Sequence, residues 1–140
     1  MASDPFRIRV YGIPAPQGSK RHVGRGIMVE SSKKLKPWRE AVKAAARAFI
    51  DEHPEFRMFD CAVAYRAQYL FRRPQSISAK KRPFHVVPPD RSKLDRSMED
   101  ALTDAGVWRD DSLVVYSISA KKYVADEPPG AIIEVWEYEG

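Results

Sequence analysis

Cysteine is almost missing from this 140-residue sequence: Cys61 is the only one, so no disulfide can form within the chain. Histidine is scarce as well. His22, His53 and His85 stand far apart and, with a single thiol, argue against a zinc centre. No run approaches the eighteen apolar residues that a membrane span needs, so no membrane partner is expected. Residues 1–10 carry Asp4, Arg7 and Arg9 where a secretory signal needs an unbroken hydrophobic segment. These absences point to a chain that stays in the reducing cytoplasm. Bases are scarce only at one end. Residues 97–140 hold 3 Lys and Arg against 10 Asp and Glu, a net −7, whereas residues 1–96 hold 21 against 9, a net +12. A basic region beside a concentrated acidic one suits a protein that binds a polyanion and uses a cation, although chance clustering on a solvated surface gives the same count.

What is present fits one domain, 1–140, long enough to bury about two-thirds of its unfolded surface without disulfide or zinc. FRIRVYG, residues 6–12, alternates apolar and polar residues with the period of a half-buried strand. Residues 13–26 read as a loop, by Pro14, Pro16, Gly18, Gly24 and Gly26, and carry Lys20, Arg21 and Arg25. IMVE, residues 27–30, is a short strand candidate. Pro37 suits the first turn of a helix, and Trp38, Ala41, Val42, Ala45, Phe49 and Ile50 follow at helical spacing to about Glu52. Arg39, Lys43 and Arg47 recur every fourth residue, which places a basic stripe or an ordinary wet face on that helix.

Residues 59–72 read as a long central strand. Residues 74–89, with four prolines and Lys80, Lys81, Arg82 and His85, form a basic loop suited to phosphates. Phe84 in that loop could wedge into opened DNA, but a packing role is the expectation. A second helix begins near Asp90 or Ser92, buries Leu94, Met98, Ala101, Leu102 and Ala105, and ends at Gly106. Strands at 113–124 and 131–138 flank a turn at 126–130 and read as a hairpin-like pair. Trp108 and Trp136 are expected in the core. The order β-β-α-β-α-β-β favours an α+β fold: a mixed, largely antiparallel sheet with two helices packed on it.

Three groups of acids could carry chemistry: Asp90 before the second helix, Asp95, Glu99, Asp100 and Asp104 along it, and Asp110-Asp111 after it. Carboxylates that converge are hard oxygen ligands for Mg²⁺, which keeps waters for a phosphate. Simpler roles compete. Asp90 and Ser92 are good helix caps, Asp110-Asp111-Ser112 is ordinary turn chemistry, and Asp95, Glu99 and Asp104 suit a solvated face. A helix of this length would hold Asp90 and Asp111 about 20 Å apart. They meet only if the next strand runs back antiparallel beside the helix, or if residues 107–109 fold back along it.

PDRSKLDRSMEDALTDAGVWRDDSLVV, residues 89–115, resembles the signature of the RusA family of Holliday junction resolvases. The family has Asp-x-Asp-Asn/Lys-Leu-x-Lys/Arg, an Asp-Ala-Leu helix, then Asp-Asp before a strand. PAPQGSKR, residues 14–21, and VESSKKLKPWR, residues 29–39, resemble the amino-terminal half of phage-borne members, so the similarity spans nearly the whole chain. The resemblance implies a homodimeric, Mg²⁺-dependent (or Mn²⁺-dependent) endonuclease that binds four-way DNA junctions and makes paired, symmetric cuts. A two-fold dimer suits the approximate two-fold symmetry of such a junction. Carried over by position, Asp90 and Asp111 match the first and last catalytic aspartates, and Asp110 is a neighbouring metal ligand. Arg96 takes the place of a family lysine and Lys93 contacts phosphate. DNA arms would lie over Lys20, Arg21, Arg25, the Arg39/Lys43/Arg47 stripe and Lys80, Lys81 and Arg82.

Ser92 stands where the family has its second aspartate, which removes one negative charge. Asp95 or Asp110 could replace that carboxylate, or water could fill the gap. Otherwise only junction binding survives, and a catalytically silent junction-binding protein is therefore the alternative. A general basic nucleic-acid-binding module is the third possibility.

Overall fold

The computed structural model describes residues 5–18 and 25–140. Strand β1 (Phe6–Tyr11) is followed by helix α1 (Arg25–Glu52), β2 (Val63–Arg72), α2 (Arg91–Ala105), a single 3-10 turn (Asp111–Leu113), β3 (Val114–Val124) and β4 (Gly130–Glu137). The four strands form one sheet in the order β1-β4-β2-β3. β4 pairs antiparallel with both β1 and β2, while β2 and β3 are parallel. The fold is α+β with a mixed, largely antiparallel sheet, and the observed order is β-α-β-α-β-β.

Both helices lie on one face of the sheet, α1 against β1 and α2, α2 against β3. Alternation along the strands sends Phe6, Ile8, Val10, Tyr65, Ala67, Tyr69, Ile133 and Val135 under them, where Trp38, Val42 and Phe49 of α1 and Leu94, Met98 and Leu102 of α2 complete the core. The opposite face is open to solvent. By register it carries Arg7, Arg9, Arg66, Gln68 and Lys122 together with Tyr116, Ile118 and Trp136.

Three expectations about elements need correction. IMVE is not a strand but the first turns of α1, which starts at Arg25 and holds Pro37 inside it rather than in its first turn. Met, Glu, Lys and Leu around this segment are good helix formers, and helix propagation is cooperative, so the run extends upstream through four residues that have no strand to pair with. β3 and β4 are not a hairpin, because β2 lies between them. A parallel β2–β3 pair needs a crossover, and α2 supplies it. The central strand starts at Val63, and Phe59 makes only an isolated bridge with Trp108.

Trp108 is fully buried, and its indole N–H donates to Thr103 Oγ1 at 2.7 Å. Trp136 is not core but lies exposed on the open face, and Phe84 is 74% exposed rather than packed. Period-2 alternation shows which strand residues share a face, not which face the helices cover.

Candidate active site

The second helix organises the acids. Asp90 is its N-cap residue: its backbone C=O accepts from the N–H groups of Lys93 (3.2 Å) and Leu94 (3.1 Å), but its carboxylate makes no capping bond. That carboxylate is exposed, 3.7 Å from Lys93 Nζ. The helix start is latched to β3 by two residues that the motif did not single out. Arg91 Nη1 donates to Ser119 O at 3.0 Å, and Lys121 Nζ donates to Val87 O (2.9 Å) and Pro89 O (3.0 Å), fixing the backbone just before Asp90. A lysine half-buried on a strand is a weak sequence signal, since nothing local shows what it reaches. Ser92 and Arg96 are exposed and share the outer face of α2 at i, i+4.

Asp95 and Glu99 are not a solvated face. Tyr69 Oη donates to Asp95 Oδ1 at 2.7 Å, Ser119 Oγ donates to Asp95 Oδ2 at 2.9 Å, and Tyr65 Oη donates to Glu99 Oε2 at 2.6 Å. Burial pushes both acids above their ordinary values. The hydroxyl bonds pull them back, and the charges of Asp95, Asp111 and Asp100 push Glu99 up further. The two tyrosines rise as well, mainly through desolvation. Both oxygens of Asp95, the nearest acid to Ser92 along the helix, are thus held by the sheet. Asp104 is exposed, as expected, and pairs with Arg39.

Past Gly106, which closes α2 at φ 84°, the chain reaches Asp110 and Asp111. Asp110 caps the 3-10 turn: it accepts from Ser112 N at 3.2 Å and from the Ser112 hydroxyl, which together hold its carboxyl below the usual carboxylate range. The Asp111 carboxylate is exposed and makes no hydrogen bond or ion pair among the described residues. It lies close enough to Glu99 for its charge to act there. Glu99 is nine residues from Asp90, about 13 Å along the helix axis. The strand after Asp111 does run back antiparallel beside α2, yet what it delivers to Asp90 is Ser119 and Lys121. Asp111 thus lies within reach of Glu99 near the middle of α2, and Asp90 stands at the amino end of the same helix. No group of three His, Cys, Asp or Glu able to hold a metal exists among the described residues, and the exposed carboxylates of Asp90 and Asp111 are hard oxygen donors of the kind Mg²⁺ takes singly or in pairs.

The basic residues are divided. Lys20 and Arg21 lie outside the described residues, and Arg25 is the first residue of α1. Arg39 pairs with Asp104 at 3.0 Å and Arg47 Nη1 donates to Ala105 O at 3.1 Å, so two members of the stripe bind the end of α2, with half-buried Lys43 between them. Lys80 and Lys81 are exposed in the loop, which Arg73 ties down through Arg82 O at 3.0 Å. His85 anchors the same loop by stacking on Phe71, with its ring nitrogens held below their ordinary value by burial and Lys121.

Residues 12–136 match the model of a known family, Endodeoxyribonuclease RusA. The chain belongs to the RusA endodeoxyribonuclease family. No curated protein matches it significantly. The RusA match includes both ends of α2, the basic loop, β2 and β3 in full and all but the last residue of β4. RusA proteins are Holliday junction resolvases, nucleases of DNA recombination. No helix of this RusA chain, among the described residues, is long and apolar enough to cross a membrane.

Proposed function

We propose that this protein cuts four-way DNA junctions by paired, symmetric phosphodiester hydrolysis as a divalent-metal-dependent homodimer, with Mg²⁺ the ion and Mn²⁺ able to replace it. Asp90 carries the proposal. An N-cap aspartate normally bonds the first free N–H groups of its helix, and this one leaves its carboxylate exposed beside Lys93, at the end of a basic loop held by Lys121. Asp90 and Asp111 are the metal-binding acids, with Asp110 setting the turn from which Asp111 projects. Arg96 and Lys93 would contact phosphate, a guanidinium doing so as a bidentate donor. DNA arms would lie over Lys80, Lys81, Arg82 and the amino-terminal bases. Arg39 and Arg47 reach DNA only by leaving Asp104 and Ala105.

The test uses a labelled synthetic junction and a linear duplex, each with Mg²⁺ or EDTA. Symmetric junction cuts that vanish with EDTA and fall at least 100-fold in Asp90→Asn are expected, while uncut junction under every condition would overturn the nuclease. A second reading rests on Ser92, whose hydroxyl is neutral and a weak Mg²⁺ ligand. Selective junction binding without cutting, with activity gained in Ser92→Asp, would make the protein a silent binder. Equal binding of junction and duplex would leave a general nucleic-acid-binding module.

A further inference from the structure

Both helices cover one face of the sheet, and among the described residues no helix packs on the other. On that open face the strand register gathers side chains into rows. One row sets Trp136 of β4 and Tyr116 of β3 on either side of Ala64, and Tyr138 stacks on Tyr116 with ring centroids 5.8 Å apart. The next row, about 6.6 Å along the strands, runs Arg7, Glu134, Arg66, Ile118. Trp136, Tyr116, Tyr138 and Ile118 are 37–48% exposed. Large apolar groups side by side on a surface mark a binding site, where single scattered ones do not.

Charge decides what fits there. By register the face carries Arg7, Arg9, Arg66, Arg72 and Lys122 against one acid, Glu134. Arg9 is engaged by Pro128 O (2.6 Å) and the Tyr11 ring, and Lys122 by Gln68 Oε1 (2.9 Å). Arg7 and Arg66 both stand opposite Glu134, yet neither makes a hydrogen bond or ion pair among the described residues. Two copies packed face to face would set five cations of each against five of the other, with a single acid apiece to offset them. A polyanion meets no such repulsion.

Duplex DNA has phosphates for the cations but keeps the faces of its bases stacked inside, which leaves the aromatic row unused. A single strand supplies both. Trp136 and Tyr116, two strand spacings apart at roughly 10 Å, are far enough from each other to hold a base each. We propose that the open sheet face binds single-stranded DNA with little sequence preference, bases stacking on Trp136, Tyr116 and Tyr138 and phosphates lying on Arg7 and Arg66. The family acts on DNA, which fixes the kind of strand. α2 lies across the sheet, held to it through Asp95, Tyr69 and Ser119, so this surface is separate from Asp90 and independent of the nuclease proposed above.

Trp136 supplies the readout, because Trp38 and Trp108 are buried. An oligothymidylate of about 16 nucleotides should bind at low salt, followed by anisotropy when labelled, and should quench tryptophan emission when unlabelled. Trp136→Phe should keep the binding and lose the quench. Trp136→Ala with Tyr116→Ala should weaken binding at least about tenfold while junction binding stays at the wild-type level. Arg7→Ala with Arg66→Ala, both exposed, should weaken it by a similar factor without touching the apolar surface. Absence of binding, binding without quenching, or wild-type affinity in both double variants overturns the proposal. Sedimentation in which the aromatic double variant turns a dimer into a monomer also overturns it, by giving the face to a second copy. Tighter binding of an oligouridylate of the same length overturns it in favour of RNA.

Discussion

Asp90 and Asp110 both open a helical turn, and they do different work. Asp110 binds the N–H and hydroxyl of Ser112, whereas Asp90 caps nothing through its side chain. Asp90→Ala should therefore leave the urea midpoint nearly unchanged, within about 0.5 kcal/mol, because only an exposed ion pair is lost. Asp110→Ala should lower it measurably. Glu99 gives a pH signature. Its folded pKa lies above the ordinary 4.5, so the unfolded chain releases this proton first. Stability held by the protonated, buried form is complete below pH 4.5 and is lost as pH rises through the folded pKa. Urea midpoints taken at a series of pH values should show wild type falling relative to Glu99→Gln from about pH 4.5 upward, and parallel curves would refute this. The acids were legible in the sequence as a set, and Gly106 as the helix stop. The division of labour among them was not, since Tyr65 and Tyr69, which bury Glu99 and Asp95, lie some thirty residues upstream.

At the scale of elements, α2 is the part most exposed to a single change at its first turn. Ser92→Asp places a carboxylate at the second helical position, where the helix dipole favours it by about 0.3–1 kcal/mol, so this variant should melt slightly higher whatever it does to cleavage. Gly130 is less tolerant. At φ 151° a Cβ would overlap the carbonyl oxygen of Val10, and Gly130→Ala should cost at least about 2 kcal/mol by pushing β4 away from β1, visible as an early thermal transition. β1, α2 and β4 could be read from periodicity because their alternation or capping is local. The start of α1 and the placement of β3 could not. Helix extension through residues 27–30 depends on the helix downstream, and a strand's partner is chosen by crossover geometry rather than by its own pattern.

Across the whole molecule the charge split of +12 and −7 survives folding only in part, since Arg39 and Arg47 bind the end of α2. Exposed Lys80 and Lys81 lie on the proposed DNA path. Junction affinity should fall linearly with salt on logarithmic axes, and replacing both lysines with alanine should shrink that slope by about 2. An unchanged slope would remove the loop from the DNA footprint. The sheet order has a separate consequence for synthesis. Among the described residues β1 pairs only with β4, made some 120 residues later. At about 5–20 residues per second, a ribosome leaves the first strand waiting roughly 6–24 s for its strand partner, with only α1 at hand to cover Phe6, Ile8 and Val10. Cotranslational folding can close α1, α2 and the β2–β3 pair early, but the amino-terminal strand can join only after Glu137 has cleared the exit tunnel.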